Sequence, residues 1–216
     1  MKKLIFLLTC MFAVSVHATP IVVQGQIDTI DGVSSNQGGD ATEVDYWYFD
    51  VNTASTVAID VLSWLTDFDN DGEYFFMDSY IGLFNDDGSL DAGDLIQLND
   101  DSGSTYTDGS VSSLDSYLST SLSVGSYILA ITDYYTTTAD LISGVNLNGY
   151  YPAYSNDGST ITYNYATGTP DYADYQITFT GDVTVQNASV PEPASITLIG
   201  FGLLGLGLSR RKKKAA

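Results

Sequence analysis

Apolar and polar residues alternate with a period of two in short runs, and clusters of Gly, Asp, Asn and Ser separate those runs. Such runs, rich in Val, Ile, Thr, Tyr and Phe, are the signature of half-buried strands bounded by turns. The pattern predicts strands at Ile21–Ile27, Val44–Val51, Val57–Ser63, Ser79–Asn85, Leu95–Asn99, Tyr117–Leu122, Ser126–Thr132 and Tyr175–Thr180. Helical periodicity is hard to find. The spacing predicts an all-β fold, an antiparallel, jelly-roll-like β-sandwich of about eight strands.

Alternation also assigns faces. Along Val44–Val51, one face carries Val44, Tyr46, Tyr48 and Asp50, and the other Asp45, Trp47, Phe49 and Val51. Aromatic residues on both faces predict a central strand. Tyr127, Leu129 and Ile131 share a face, with Gly125 supplying the turn before them.

Charge narrows the chemistry. The chain has 216 residues and a formal net charge of −20. Every Lys and Arg lies in the terminal segments, and the only His and Cys are His17 and Cys10. Residues 19–190 hold 26 of the 27 carboxylates and no cationic side chain. Such a body cannot neutralise phosphates, so nucleic-acid binding is excluded as an expectation. It offers no thiol, imidazole or amine for covalent catalysis and no His or Cys for zinc. What remains is carboxylate, hydroxyl and aromatic chemistry.

Both ends read as targeting segments. Lys2 and Lys3, an apolar run from Leu4 to Val16, and Val16-His17-Ala18 form a secretory signal peptide over residues 1–18, cleaved after Ala18. At the other end stand Pro191-Glu192-Pro193, an apolar Leu- and Gly-rich stretch over Ala194–Leu208, and a basic tail over 209–216 that includes Arg210 and Arg211. The apolar stretch is short for a spanning helix, and the basic cluster favours the cytoplasmic side. This tripartite tail, residues 190–216, resembles the PEP-CTERM sorting signal of Gram-negative bacteria. The resemblance implies transient anchoring in the inner membrane by helix 194–208, processing by an exosortase, and release to the cell surface or extracellular matrix.

The body between them, residues 19–189, reads as one acidic domain. Asp45–Val51, Ser79–Leu90 with Asn99-Asp100-Asp101, and Leu114–Leu118 with Val124–Ala130 resemble the bacterial pre-peptidase C-terminal (PPC) domain, a small β-sandwich. The resemblance covers roughly residues 40–135. Thr66–Met77 and Val145–Asp171 depart from its pattern as insertions. The second insertion carries Tyr150, Tyr151, Tyr154, Tyr163 and Tyr165. Its preferred reading is a hairpin turning at Asn156-Asp157-Gly158; the alternative is a carbohydrate-binding loop that stacks Tyr rings on sugars.

The sharpest local motif is Asp67–Asp78, which fits a D-x-D-x-D-G calcium loop closed at its twelfth position. Asp67, Asp69 and Asp71 would curl around a hard cation, Glu73 would add its backbone carbonyl, and Asp78 would close the site. Asn85, Asp87, Asp91 and Asp94 form a second group and Asn99-Asp100-Asp101 a third; both read as turn formers. With no Lys or Arg to pair with, clustered carboxylates repel one another, and millimolar calcium would relieve the repulsion. No motif selects an acid and a nucleophile for a glycosidase. The expectation is therefore a non-catalytic, calcium-stabilised surface or matrix protein with a structural or adhesive role toward exopolysaccharide. Its alternatives are a carbohydrate-binding module and a carboxylate glycosidase.

Overall fold

Along Ser55–Leu62 and Tyr172–Thr180, alternation turns Val57, Ile59 and Val61, and Tyr175, Ile177 and Phe179, to one side of a ladder, each at most 1% exposed. Phe49, Leu129, Ile131, Ile81 and Leu83 do the same in a second ladder, and all are fully buried. The two apolar faces close on each other. The computed structural model describes residues 19–68, 70–101, 112–149, 153–163 and 172–186.

In chain order the strands are β1 (Ile21–Ser34), β2 (Asp40–Glu43), β3 (Asp45–Val51), β4 (Ser55–Leu62), β5 (Trp64–Thr66), β6 (Tyr74–Phe76), β7 (Ser79–Asn85) and β8 (Leu95–Asn99). They continue as β9 (Tyr117–Leu122), β10 (Gly125–Asp133), β11 (Val145–Asn146), β12 (Ala153–Ser155), β13 (Thr162–Tyr163), β14 (Tyr172–Thr180) and β15 (Val183–Val185), with one helix, α1 (Thr138–Ser143). One sheet runs β11-β2-β1-β14-β4-β9, the other β15-β3-β10-β7-β8. The strand pairs within them are antiparallel.

The sheets are joined by specific contacts as well as by apolar burial. Phe49 of one meets Phe179 of the other at 5.2 Å and stacks on Tyr127 at 5.6 Å. Large side chains buried this way each contribute about 1.5–3 kcal/mol. Tyr175 crosses the interface with its hydroxyl. It donates to Asp45 Oδ2 at 2.5 Å and accepts from Trp47 Nε1 at 2.9 Å. Gly25 is required beneath it, because a Cβ there would lie 2.3 Å from the Tyr175 oxygen. Asp45, Trp47, Phe49 and Val51, one of the two faces that alternation separated, thus form the inward face.

The second sheet is covered on its outer face too. Val44, Phe84, Ile128, Ala130 and Leu141 form a small second core beneath α1. Gly82 makes room for it, since a Cβ there would meet Leu141 at 2.6 Å. The helix is set by a capping box, Thr137 with Asp140, and ends at Gly144 in the left-handed region. Strand β10 is therefore buried on both faces.

The sandwich class agrees with the pattern, but the strand count rises from about eight to fifteen among the described residues. The added strands are mostly two to four residues long, too short to show a period. The two insertions pair with each other. β5 and β6, from Trp64–Phe76, and β12 and β13, from the Tyr-rich stretch, make a third sheet in the order β13-β12-β6-β5. Its β12–β13 arm is the hairpin expected around Asn156–Gly158, with Gly158 at φ +73°.

Candidate carboxylate site

Strands β7 and β8 are antiparallel, with Ile81 opposite Asn99 and Leu83 opposite Gln97. The residue before β7 and the residues after β8 must then meet at one end of the sandwich. They are Asp78, Asp100 and Asp101, and one oxygen from each lies within 4.8 Å of the others. The return after β8 is held by Ser116, whose hydroxyl lies within donating distance of the carbonyls of Ser79 at 2.6 Å, Asp100 at 2.8 Å and Asn99 at 3.2 Å and gives its one proton to one of them at a time. Asn99 Oδ1 accepts from the amide of Tyr117 at 2.8 Å.

On the other side of β7 runs β10. Its continuation places the amide of Tyr134 2.7 Å from the carbonyl of Asp78. Tyr134 and Tyr135 meet edge to face with centroids 4.5 Å apart. Tyr135 is 51% exposed and sits at φ +68°, a conformation that costs a residue with a Cβ and recurs at functional positions.

The electrostatics are those of carboxylates without counter-ions. Burial first, and then the charges of Asp100, Asp101 and Asp115, push Asp78 up to about 7. Burial and Asp101 raise Asp100. Asp78 Oδ1 and Asp100 Oδ1 are both buried without a hydrogen-bond partner. Nearby, Asp115 is committed elsewhere: it accepts from the amides of Ser63 and Trp64 at 2.7 and 2.9 Å. Hard oxygen donors with unused lone pairs suit Ca²⁺, which takes six to eight oxygens at about 2.3–2.6 Å. The three carboxylates could supply one oxygen each, and water or ligand hydroxyls would have to complete the shell.

The ligand set expected from sequence is divided. Asp78 belongs to the cluster. Asp67, Asp71 and Glu73 do not gather with it; they shape a turn. Asp67 Oδ1 accepts from the amide of Asp71 at 3.1 Å, and Asp71 Oδ1 from that of Glu73 at 2.7 Å. Asn70 and Gly72 take positive φ there. Asp69 lies outside the described residues. In the second group, Asp87, Asp91 and Asp94 accept from backbone amides of their own turn at 2.6–3.2 Å, as turn formers do. Asp100 and Asp101, read as turn formers, join Asp78 instead. The signal for this was present: antiparallel pairing of two adjacent strands brings their outer flanks together.

Tyr154 is half-buried in β12, and Tyr163 lies in β13. Tyr150, Tyr151 and Tyr165 lie outside the described residues, as do residues 1–18, expected to be a signal peptide, and Pro191, Glu192, Pro193, Arg210 and Arg211. Among the described residues no helix is long and apolar enough to cross a membrane; the expected span 194–208 is not among them.

No curated protein matches the chain. Residues 189–212 match the family described as the PEP-CTERM protein-sorting motif, so the chain carries the sorting signal of an exported protein handled by an exosortase.

Proposed function

We propose that the protein is a non-catalytic β-sandwich of the cell surface or extracellular matrix of a Gram-negative bacterium. Its exported body holds calcium at Asp78, Asp100 and Asp101 and contacts exopolysaccharide there in a structural or adhesive role. The observation that carries this reading is the convergence of three carboxylates at one end of a body that has no cationic side chain. Two of their oxygens are buried and bare, and cation binding would offset that cost.

The tyrosine pair beside the carboxylates, Tyr135 exposed and Tyr134 half-buried, supports the saccharide half of the reading. An aromatic face stacks on the apolar face of a sugar ring, and a bound calcium can accept sugar hydroxyls in its open positions. The resemblance of residues 40–135 to the pre-peptidase C-terminal domain is compatible with this: its quoted segments are β3, β7 and its following turn, β9 and β10. The Tyr-rich insertion is the runner-up surface, since its β12–β13 hairpin keeps Tyr154 partly exposed.

The test is co-sedimentation of the protein with the host's own matrix polysaccharide. The expected result is retention in calcium, release by chelator, and loss of retention in Asp100→Asn/Asp101→Asn. Retention that ignores both calcium and the substitutions would overturn the proposal.

A further inference from the structure

Asp133, the last residue of β10, is 1% exposed. Its Oδ1 accepts from Thr42 Oγ1 at 2.6 Å and Asn146 Nδ2 at 3.0 Å. Its Oδ2 is buried with no partner. Thr42 lies on β2 in one sheet, Asp133 in the other, and Asn146 on β11. This single carboxyl group therefore ties both sheets to the segment that opens the Tyr-rich insertion. That segment is fitted closely. The Asn36 amide donates to the Leu147 carbonyl at 2.7 Å, and Ser35 Oγ to the Gly149 carbonyl at 3.2 Å. A Cβ on Gly149 would stand 2.7 Å from Asp133 Oδ1 and 2.5 Å from Thr42 Oγ1.

A buried carboxylate needs a cation or a full set of donors. Residues 19–190 contain no Lys, Arg or His, and half of this carboxylate has no donor. Protonation at Oδ2 removes the charge and leaves both bonds at Oδ1 in place. Opening of the 145–149 segment hydrates the charge instead. We propose that Asp133 is a proton-operated latch on residues 145–149, closed when neutral and loosened when ionised. The titratable groups on the surrounding elements include Asp40 and Glu43 on β2, Asp45 on β3, Asp78 before β7, Tyr80 on β7 and Asp140 on α1. Of these, Asp78 is the one whose charge acts on Asp133. It directly precedes Ser79, the residue that pairs with Asp133. Burial pushes Asp133 up to about 7, which puts the change near neutral pH.

The sign follows from linkage. A carboxyl raised on folding stabilises the closed form at low pH and loses that contribution as pH rises toward the closed-state value. The test is amide hydrogen exchange of the full chain in detergent with chelator, from pH 5 to 8, corrected for intrinsic rates. Protection of 145–149 relative to β4 and β9 should fall roughly ten- to hundredfold toward pH 7 and then level off. Asp133→Asn should abolish the fall, and Asp78→Asn should keep it. Thr42→Val, which removes one donor to the carboxylate, should move the levelling point to higher pH. Constant relative protection in the native chain, the same fall in Asp133→Asn, or an unmoved profile in Thr42→Val would each overturn the latch.

Discussion

Replacing Gly25 by Ala should unseat the contact that locks the two sheets together. The new Cβ would stand 2.3 Å from the Tyr175 oxygen and 2.5 Å from its Cζ, well inside contact distance. Tyr175 is fully buried, so its ring cannot swing into solvent. Any shift stretches its bonds to Asp45 and Trp47. Overpacking of this kind costs about 1–3 kcal/mol. The bond to the Asp45 carboxylate is worth about 1.5–3 kcal/mol and the neutral one about 0.5–1.5 kcal/mol. The combined loss is therefore about 3–7.5 kcal/mol, or roughly 6–30 °C in Tm for a domain of this size. Urea unfolding of Gly25→Ala measures it. Tyr175→Phe should lose about 2–4.5 kcal/mol through the two bonds alone. The double variant should lose less than the sum, because the two changes break the same bonds. A loss below about 1 kcal/mol in Gly25→Ala, or full additivity, would refute the reasoning.

Three further outcomes are expected. Thr137→Ala removes the cap of α1 and should cost about 1 kcal/mol, read by the same unfolding assay. In chelator, Tm should fall as pH rises from 4 through 7, because burial raises both Asp78 and Asp133 from their ordinary 3.8 to about 7. Calcium should flatten that fall, since a bound cation favours ionised Asp78; a Tm that rises over this range in chelator would contradict it. In the native host, Glu192→Ala should leave the C-terminal tail attached, detected by mass of the exported protein, and normal processing would count against recognition of the motif.

The strands that pair over long stretches were legible. Ser79–Asn85, Leu95–Asn99 and Tyr117–Leu122 have the same bounds in pattern and structure, because β-branched and aromatic residues alternate between clear turns. β1 runs past its expected end because a register shift after Ile30 and a left-handed Gly32 carry it round to meet β2. The third sheet was invisible because its strands are two or three residues long and pair across some eighty positions. A six-residue helix has no measurable period, yet Thr137, Asp140 and Gly144 spell its two ends. The site was half legible. Asp78 was singled out within a loop motif whose other described members stay apart from it. Asp100 and Asp101 read as turn formers because a local reading ignores what antiparallel pairing does to the flanks of a hairpin.

The central claim is that the carboxylate end of the sandwich takes up calcium. A thermal melt of the full chain in detergent tests it most directly, in calcium, in magnesium and in chelator. Calcium in excess over its dissociation constant should raise Tm in proportion to the logarithm of its concentration. The rise should exceed that in magnesium, vanish in Asp78→Asn/Asp100→Asn, and survive in Asp67→Asn/Asp71→Asn. An unchanged Tm, or a rise that survives loss of Asp78 and Asp100, would contradict the account.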